Sequence, residues 1–431
     1  MTMEADTHRG GRHGARTLAA VFAAALACVL VTVGLVGGSP ARAGTAVSPD
    51  AVVSPDCSTK SPESVTTTKG DVGLQATFNN PRTHDGKDTA QLRELIRLID
   101  CTPSGQRIRM GIHHITANIV FRAIKAADNR GVTIKVVHTG SQRDAKDSTP
   151  RDLHELLGKN HHWCDHGSDG SKGWACVSTD DSGIMHSKYM LFSKTMDLHG
   201  DLRSHVVWFG SPNETYASGA EQFNNAVTVY GDATLYRKFG DKIWTPMWRE
   251  NSYAGNDFYV ASKHRGYFGS SASDITVYAS PEQNTDLVVH RLNYIHPGND
   301  CHLHVMEAMI HDSRSAVVDK LVSLHSKGCS VKVVAHQVTD GALRKLVNHG
   351  VSVRQAPVHD KLILFHGRYA KVTHSRYTIF TGSHNLTYSA LRRNDELLVK
   401  LQNNSRAFFD AFYAHFHDAY DHGTVCTATQ C

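Results

Sequence analysis

His186-Ser187-Lys188, followed by Gly210-Ser211-Pro212-Asn213, is written a second time as His359-Asp360-Lys361 followed by Gly382-Ser383-His384-Asn385. A His and a Lys two residues apart in an apolar run fall on one face of a strand, because strand side chains alternate with period two. Each copy therefore aims an imidazole and an ammonium at one spot. His186 and Asn213 are 27 positions apart, and His359 and Asn385 are 26 apart. The same backbone circuit thus delivers an amide and a hydroxyl to the same place twice. Two imidazoles on opposite sides of a phosphorus can act as nucleophile and acid. Lys188, Lys361, Asn213 and Asn385 would hold the non-bridging oxygens, with Ser211 and Ser383 assisting.

The repetition runs beyond these motifs. Residues 74–81 recur as 275–281, and 90–100, with Leu92, Leu95, Ile96 and Ile99 at helical spacing, recur as 285–295. A strand at 108–112 matches 303–306; the helix and strand at 119–127 and 132–137 match 317–324 and 331–334. Motif strands are expected at 185–192 and 358–365, and each half closes with an amphipathic helix, 235–248 and 406–420. Alternating helices and continuous apolar strands predict an α/β protein. Its two similar α/β/α halves should have mostly parallel sheets and pack about a pseudo-twofold axis. The expected division is a signal segment at 1–43, an extension at 44–72, a first domain at 73–250, a Gly/Ser/Asn-rich linker at 251–273 and a second domain at 274–431. Ile134 and Val331 are offset by 197 but His186 and His359 by 173, so the first half carries 24 extra residues, assigned to a polar loop at 141–183 beside the site.

The paired motif resembles the phospholipase D superfamily, whose signature is a repeated His-x-Lys-x4-Asp with a downstream Gly-Ser-x-Asn. The stretches Gly183-Ile184-Met185-His186-Ser187-Lys188 and Arg393-Asn394-Asp395-Glu396-Leu397 are similar to that family as well. One departure is that Ser193 and His366 stand at the signature Asp positions. The resemblance implies a phosphohistidine intermediate without metal or other cofactor, His186 as nucleophile and His359 as acid and base. A carboxylate beside a histidine fixes its tautomer and raises its basicity; Glu396 is the candidate for His359, since residues 223–226 of the first half lack an acid.

Arg9, Arg12 and Arg16 precede a charge-free run at 17–36, and Ala41-Arg42-Ala43 forms a small-x-small site, the pattern of an export signal. The run is also long enough for a retained anchor. Beyond it lie eight of the nine cysteines, an even number that reads as disulfides outside the cytoplasm, with Cys164–Cys176, Cys301–Cys329 and Cys426–Cys431 as the near-neighbour pairings. The formal charge of +5 falls to +3 without the signal. So small a surplus does not demand a polyanion, which makes nucleic acid a weaker partner than a phospholipid at a membrane surface.

The expectation is therefore a secreted, monomeric phosphodiesterase acting on phospholipid headgroups, with exchange onto alcohols as a variant. A secreted nuclease and a non-catalytic phosphate- or lipid-binding module are the alternatives. The run His161-His162-Trp163-Cys164-Asp165-His166 reads as a polar loop rather than a zinc site. His113-His114 and His302-x-His304 read as core or supporting groups, and Trp244 and Trp248 as helix packing.

Overall fold

The computed structural model describes residue 57 and residues 64–165, 173–251, 256–259, 265–402 and 405–431. The signal segment, His166 and parts of the expected extension and linker lie outside the described residues.

Eight strands form the first sheet: β1 (Ser64–Lys69), β2 (Val72–Asn79), β3 (Arg107–Ile112), β4 (Thr133–Thr139), β5 (His161–Cys164), β6 (Tyr189–Met196), β7 (Leu202–Gly210) and β8 (Asn224–Tyr230), in the order β1-β2-β8-β7-β6-β3-β4-β5. The second holds β9 (Tyr267–Ser270), β10 (Ile275–Ser280), β11 (His302–Ile310), β12 (Ser330–Val338), β13 (Ser352–Gln355), β14 (Lys361–Arg368), β15 (Ser375–Gly382), β16 (Glu396–Gln402) and β17 (Thr424–Val425). Its order is β17-β13-β12-β11-β14-β15-β16-β10-β9, which repeats the first sheet from β2 to β5. The two similar halves are as expected, with β1 joining the first sheet from within the expected extension and β9 the second from within the expected linker.

The sheets are mixed, not mostly parallel. Parallel pairing is confined to β3-β4-β5 and β11-β12-β13, whose connections run through helices Asn118–Asn129, Thr149–Leu157, Ser315–Ser326 and Asp340–Asn348. The motif strands instead turn back through short links, β6 to β7 and β14 to β15, and a short link can only return a strand antiparallel.

The run Tyr189-Met190-Leu191-Phe192 shows why these strands are continuously apolar. Tyr189 and Leu191 enter the core between the two sheets, while Met190 and Phe192 pack under helices Ala90–Asp100 and Asn118–Asn129 on the outer face. Leu362, Leu364, Ile363 and Phe365 repeat that division in β14. The central core also takes Phe239 and Met247 from one closing helical segment and Phe412 and Phe416 from helix Arg406–His422. Trp244 and Trp248 stack on each other at 5.0 Å, as packing residues.

All three near-neighbour disulfides form, with Cys57–Cys101 as the fourth. The insertion is shorter than the 141–183 stretch assigned to it. Helix Thr149–Leu157 and β5 have counterparts in helix Asp340–Asn348 and β13. From the start of β5 to His186 is 25 positions, against 7 from the start of β13 to His359, so most of the extra residues follow β5.

Candidate active site

His186 and His359 sit in extended segments just before β6 and β14, not within those strands as the pattern suggested. Each segment runs alongside the other half. The His186 N–H donates to the Asp395 carbonyl at 3.0 Å, and the His359 N–H to the Phe223 carbonyl at 2.9 Å. Parallel bridges Met185–Asp395 and Phe223–Val358 complete a symmetric exchange. The Lys188 and Lys361 ammoniums fold back to the carbonyls of His186 and His359, each at 2.5 Å.

Because the segments cross, each histidine is oriented by the other half. Glu396 lies 2.8 Å from Nδ1 of His186, so the assignment of Glu396 to His359 is corrected. Nδ1 of His359 instead meets neutral groups, the Ser218 hydroxyl at 3.1 Å and Asn224 Oδ1 at 3.2 Å. With Nδ1 engaged, Nε2 of each ring is the atom left for chemistry.

Ser211 and Ser383 do not serve as phosphate donors in this arrangement. Ser383 donates to Glu396 at 2.6 Å and Ser211 to Asn224 Oδ1 at 2.9 Å, so each hydroxyl fixes the group that orients the opposite histidine. Gly382 precedes this turn with φ +134°, and a Cβ there would lie 2.3 Å from the Leu397 carbonyl oxygen, so a side chain would push β15 off β16. Asn213 is held by His113, whose Nδ1 is 3.3 Å from Asn213 Oδ1 and whose ring meets His186 edge-on at 4.5 Å. His113 is thus a supporting group.

Several buried groups went unnoticed in the sequence. Asp360, between the motif His and Lys, accepts from Asn225 and lies 3.0 Å from His415 on the last long helix. Asp395 accepts the backbone N–H groups of Cys176, Val177 and Ser178 at 2.6, 3.0 and 2.9 Å, tying the disulfide-closed insertion of one half to the other. Arg314 forms a bidentate pair with Asp286 and reaches the Asn385 carbonyl at 3.1 Å. Glu214 and Glu307 face the motif lysines. Only the acidic residues beside motif positions, Asp360, Asp395 and Glu214, carried a signal of proximity.

Burial, followed by the Lys188 and Lys361 charges, holds His186 well below the ordinary histidine range, and burial with the same two lysines does so for His359. Burial also lowers Lys188 to about 7, against the pull of Glu396, and Lys361 to about 8, against Glu307 and Glu396. Glu214 is pushed up to about 8 by burial. The result is a buried cluster of histidines, lysines and carboxylates in which a charge interaction is worth far more than in water.

Ser193 and His366 take no part. Ser193 accepts the Arg107 N–H at 2.8 Å and donates to Gln106, and His366 stacks on Tyr377 at 4.7 Å. Five residues past the motif lysines along a strand is about 16 Å. The run at 161–166, read as a polar loop, instead forms the mostly buried strand β5 over His161–Cys164; Cys164 is bonded to Cys176, and His161 lies between His138 at 3.1 Å and His154 at 3.2 Å. No group of three His, Cys, Asp or Glu among the described residues is placed to hold a metal ion.

The chain matches the family described as cardiolipin synthase, PLD-like domain, over residues 95–245 and 299–420, more than half its length and spanning both motif copies. It belongs to the phospholipase D-like family. Among solved structures the fold is similar to phosphatidylserine synthase from Haemophilus influenzae, with a TM-score of 0.53, 12% identity, and coverage of 81% of this chain and 87% of that one. Nuc from Salmonella typhimurium, a phospholipase D family member, matches at 23% identity and TM-score 0.28 over 35% of this chain and 97% of its own. Polyphosphate kinase from Porphyromonas gingivalis matches at 10% identity and TM-score 0.48 over 80% of this chain, which spans half of that kinase. No curated protein matches by sequence. The phospholipase D-like fold thus accounts for the paired motif, and the four disulfides fit an oxidising compartment. No helix among the described residues is long and apolar enough to cross a membrane.

Proposed function

We propose that this chain is an exported phosphodiesterase that cleaves phospholipid headgroup esters, with His186 as nucleophile and His359 as acid and base. The observation carrying the assignment of roles is the unequal pair of orienting groups, a carboxylate on His186 and neutral oxygens on His359. The Glu396 carboxylate stabilises the ring that becomes cationic on taking the phosphoryl group. The neutral partners leave His359 free to give its proton away.

Lys188, Lys361, Asn213 and Asn385 would bind the phosphate oxygens. The arriving anion offsets the lysine charges that depress His359, so that ring gains its proton together with the substrate. Nε2 of His186 attacks phosphorus, the P–O bond to the headgroup breaks, and His359 protonates the departing alkoxide. Water then yields a proton to His359 and attacks phosphorus, and the P–N bond breaks to restore His186. An alcohol in place of that water gives headgroup exchange.

Two exposed tyrosines, Tyr216 and Tyr388, stand three residues after Asn213 and Asn385. Rings so placed suit the headgroup layer of a membrane. They equally suit stacked bases, which supports a nuclease as the second reading. Phosphatidylcholine vesicles and plasmid DNA, assayed side by side in chelator, separate the two. Choline release with DNA left intact is the expected result. DNA cleavage without choline release would replace the lipid substrate, and no phosphohistidine with either would leave only a binding module.

A further inference from the structure

The outer face of the second sheet carries a cavity of about 190 Å³ that the catalytic crevice does not use. Its walls include Arg291, Tyr294, Tyr369, Arg376, Lys400 and Gln402. Lys400 and Gln402 lie on the same face of β16 as Leu398, which packs in the outer helix-covered core, whereas Leu397, Val399 and Leu401 face the core between the sheets. The cavity therefore opens away from the face shared by the two halves.

Three cations and no carboxylate line this space among the described residues. Arg291 lies over the rings of Tyr278 at 4.8 Å and Tyr294 at 5.2 Å, and Lys400 over Tyr369 at 5.7 Å. The Arg291 Nε is buried and makes no hydrogen bond. Burial, then the neighbouring Arg291 charge, lowers Lys400 to about 8. Gathering like charges around a partly dried cavity costs free energy unless an anion joins them.

The first half shows the alternative. There the arginine of the corresponding helix, Arg97, is neutralised internally by Glu94 through bonds of 2.9 and 2.7 Å and is met by the Tyr230 hydroxyl at 3.0 Å. In the second half Arg291, one position out of register with Arg97, stands beside tyrosines, and Val289 takes the place of Glu94. Arginine and lysine converging on one space match a tetrahedral, multiply charged oxyanion.

We propose that the cavity walled by Arg291, Tyr369, Arg376 and Lys400 is a second phosphate-binding site, separate from the catalytic crevice. It takes a phosphate monoester or inorganic phosphate, the former supplied in solution or by a lipid headgroup. This assignment does not depend on which substrate the crevice cleaves.

The test is calorimetric titration of the full chain with inorganic phosphate at fixed ionic strength, beside flotation with phosphatidylcholine vesicles with and without phosphatidate. The wild type should bind two equivalents of phosphate. Lys400→Met should bind one, with hydrolysis of a soluble phosphodiester unchanged, while Lys361→Met should lose the other equivalent together with activity. Lys400→Arg should keep the second equivalent, showing that charge and not local folding is responsible. If only flotation with phosphatidate weakens, by about tenfold or more in Lys400→Met, the site takes its phosphate from lipid. If neither phosphate nor phosphatidate binding responds to Lys400→Met in a protein that melts like the wild type, the proposal is overturned.

Discussion

Replacing Glu396 by Gln tests the division of labour most directly. The carboxylate is buried 2.8 Å from Nδ1 of His186, and Gln keeps the shape and a hydrogen bond but removes the charge. When His186 carries the phosphoryl group its ring is cationic. Two charges about 4 Å apart at an effective dielectric near 20 attract by about 4 kcal/mol. An amide dipole retains part of that, so a loss of about 3 kcal/mol is expected, roughly a hundredfold in kcat. Rapid-quench measurement of phosphohistidine formation should show the loss in the first step. It should be similar for 4-nitrophenyl and alkyl esters, because the acid is untouched. His359→Ala should behave oppositely, with a defect that shrinks when the leaving group needs no proton. Asn224→Asp, which places a carboxylate on His359, should move the alkaline limb of the profile upward as that ring holds its proton more tightly. If Glu396→Gln forms phosphohistidine within about threefold of the wild-type rate, or slows only poor leaving groups, the roles are reversed or the carboxylate is idle.

Lys188 and Lys361 bind phosphate only when protonated, and burial lowers them to about 7 and 8; KM for a soluble phosphodiester should therefore rise with pH above that window, by about tenfold per unit for each lysine required. In the unfolded chain these lysines keep their protons to about 10.4, so their contribution should make the ligand-free protein more stable as pH rises from 7 towards 10, a trend that urea titrations at several pH values would reveal or refute. Ser193→Asp with His366→Asp, which restores the signature residues, should change kcat/KM by less than about twofold, since both positions lie about 16 Å along the strand from the motif lysines; a large gain would mean that they act on the site. Cys301→Ser with Cys329→Ser opens a loop of 28 residues and should cost about 3–4 kcal/mol in urea unfolding while leaving kcat unchanged, because the bridge joins the starts of β11 and β12 away from the histidines. Asp395→Ala strands three backbone N–H donors at about 1–3 kcal/mol each, so it should lower the urea midpoint and expose the insertion to proteolysis; an unchanged digestion pattern would refute its anchoring role.

Much of this architecture was legible because duplication wrote it twice. Helix Ala90–Asp100 lies where Leu92, Leu95, Ile96 and Ile99 place it, and each strand of the repeat recurs in matching sheet order. Strand direction was less legible, since an apolar run buried on both faces reads the same in parallel and antiparallel sheets, as Met190 and Leu191 show by entering different cores. The insertion was bounded only loosely, within 141–183, because the offset between repeats fixes its length but not its position. The cavity at Lys400 left no trace in the sequence, because Arg291 and Lys400 meet only through the fold of the second sheet.

The error over Glu396 has a different origin. Reading along the chain pairs each histidine with the acid that follows it in its own half, but a twofold crevice is built by exchange, with each motif segment hydrogen-bonded to the residue just before β16 or β8 of the other half. Perfect symmetry would then give both histidines the same partner and the same basicity, although attack on phosphorus and protonation of a leaving group require opposite tendencies. Two differences, Asn224 where the second half has Glu396 and Ser218 where it has Ala390, separate them while leaving the serine hooks of Ser211 and Ser383 matched. Inequality among the orienting groups, with the charge carried by one pair of positions, is therefore enough to assign direction to a duplicated site. Under the same logic, exchanging these two side chains in one variant, Glu396→Asn with Asn224→Glu, should move the phosphohistidine from His186 to His359. Mass spectrometry of trapped intermediate would locate it, and phosphorylation confined to His186 in that variant would show that something other than the orienting groups chooses the nucleophile.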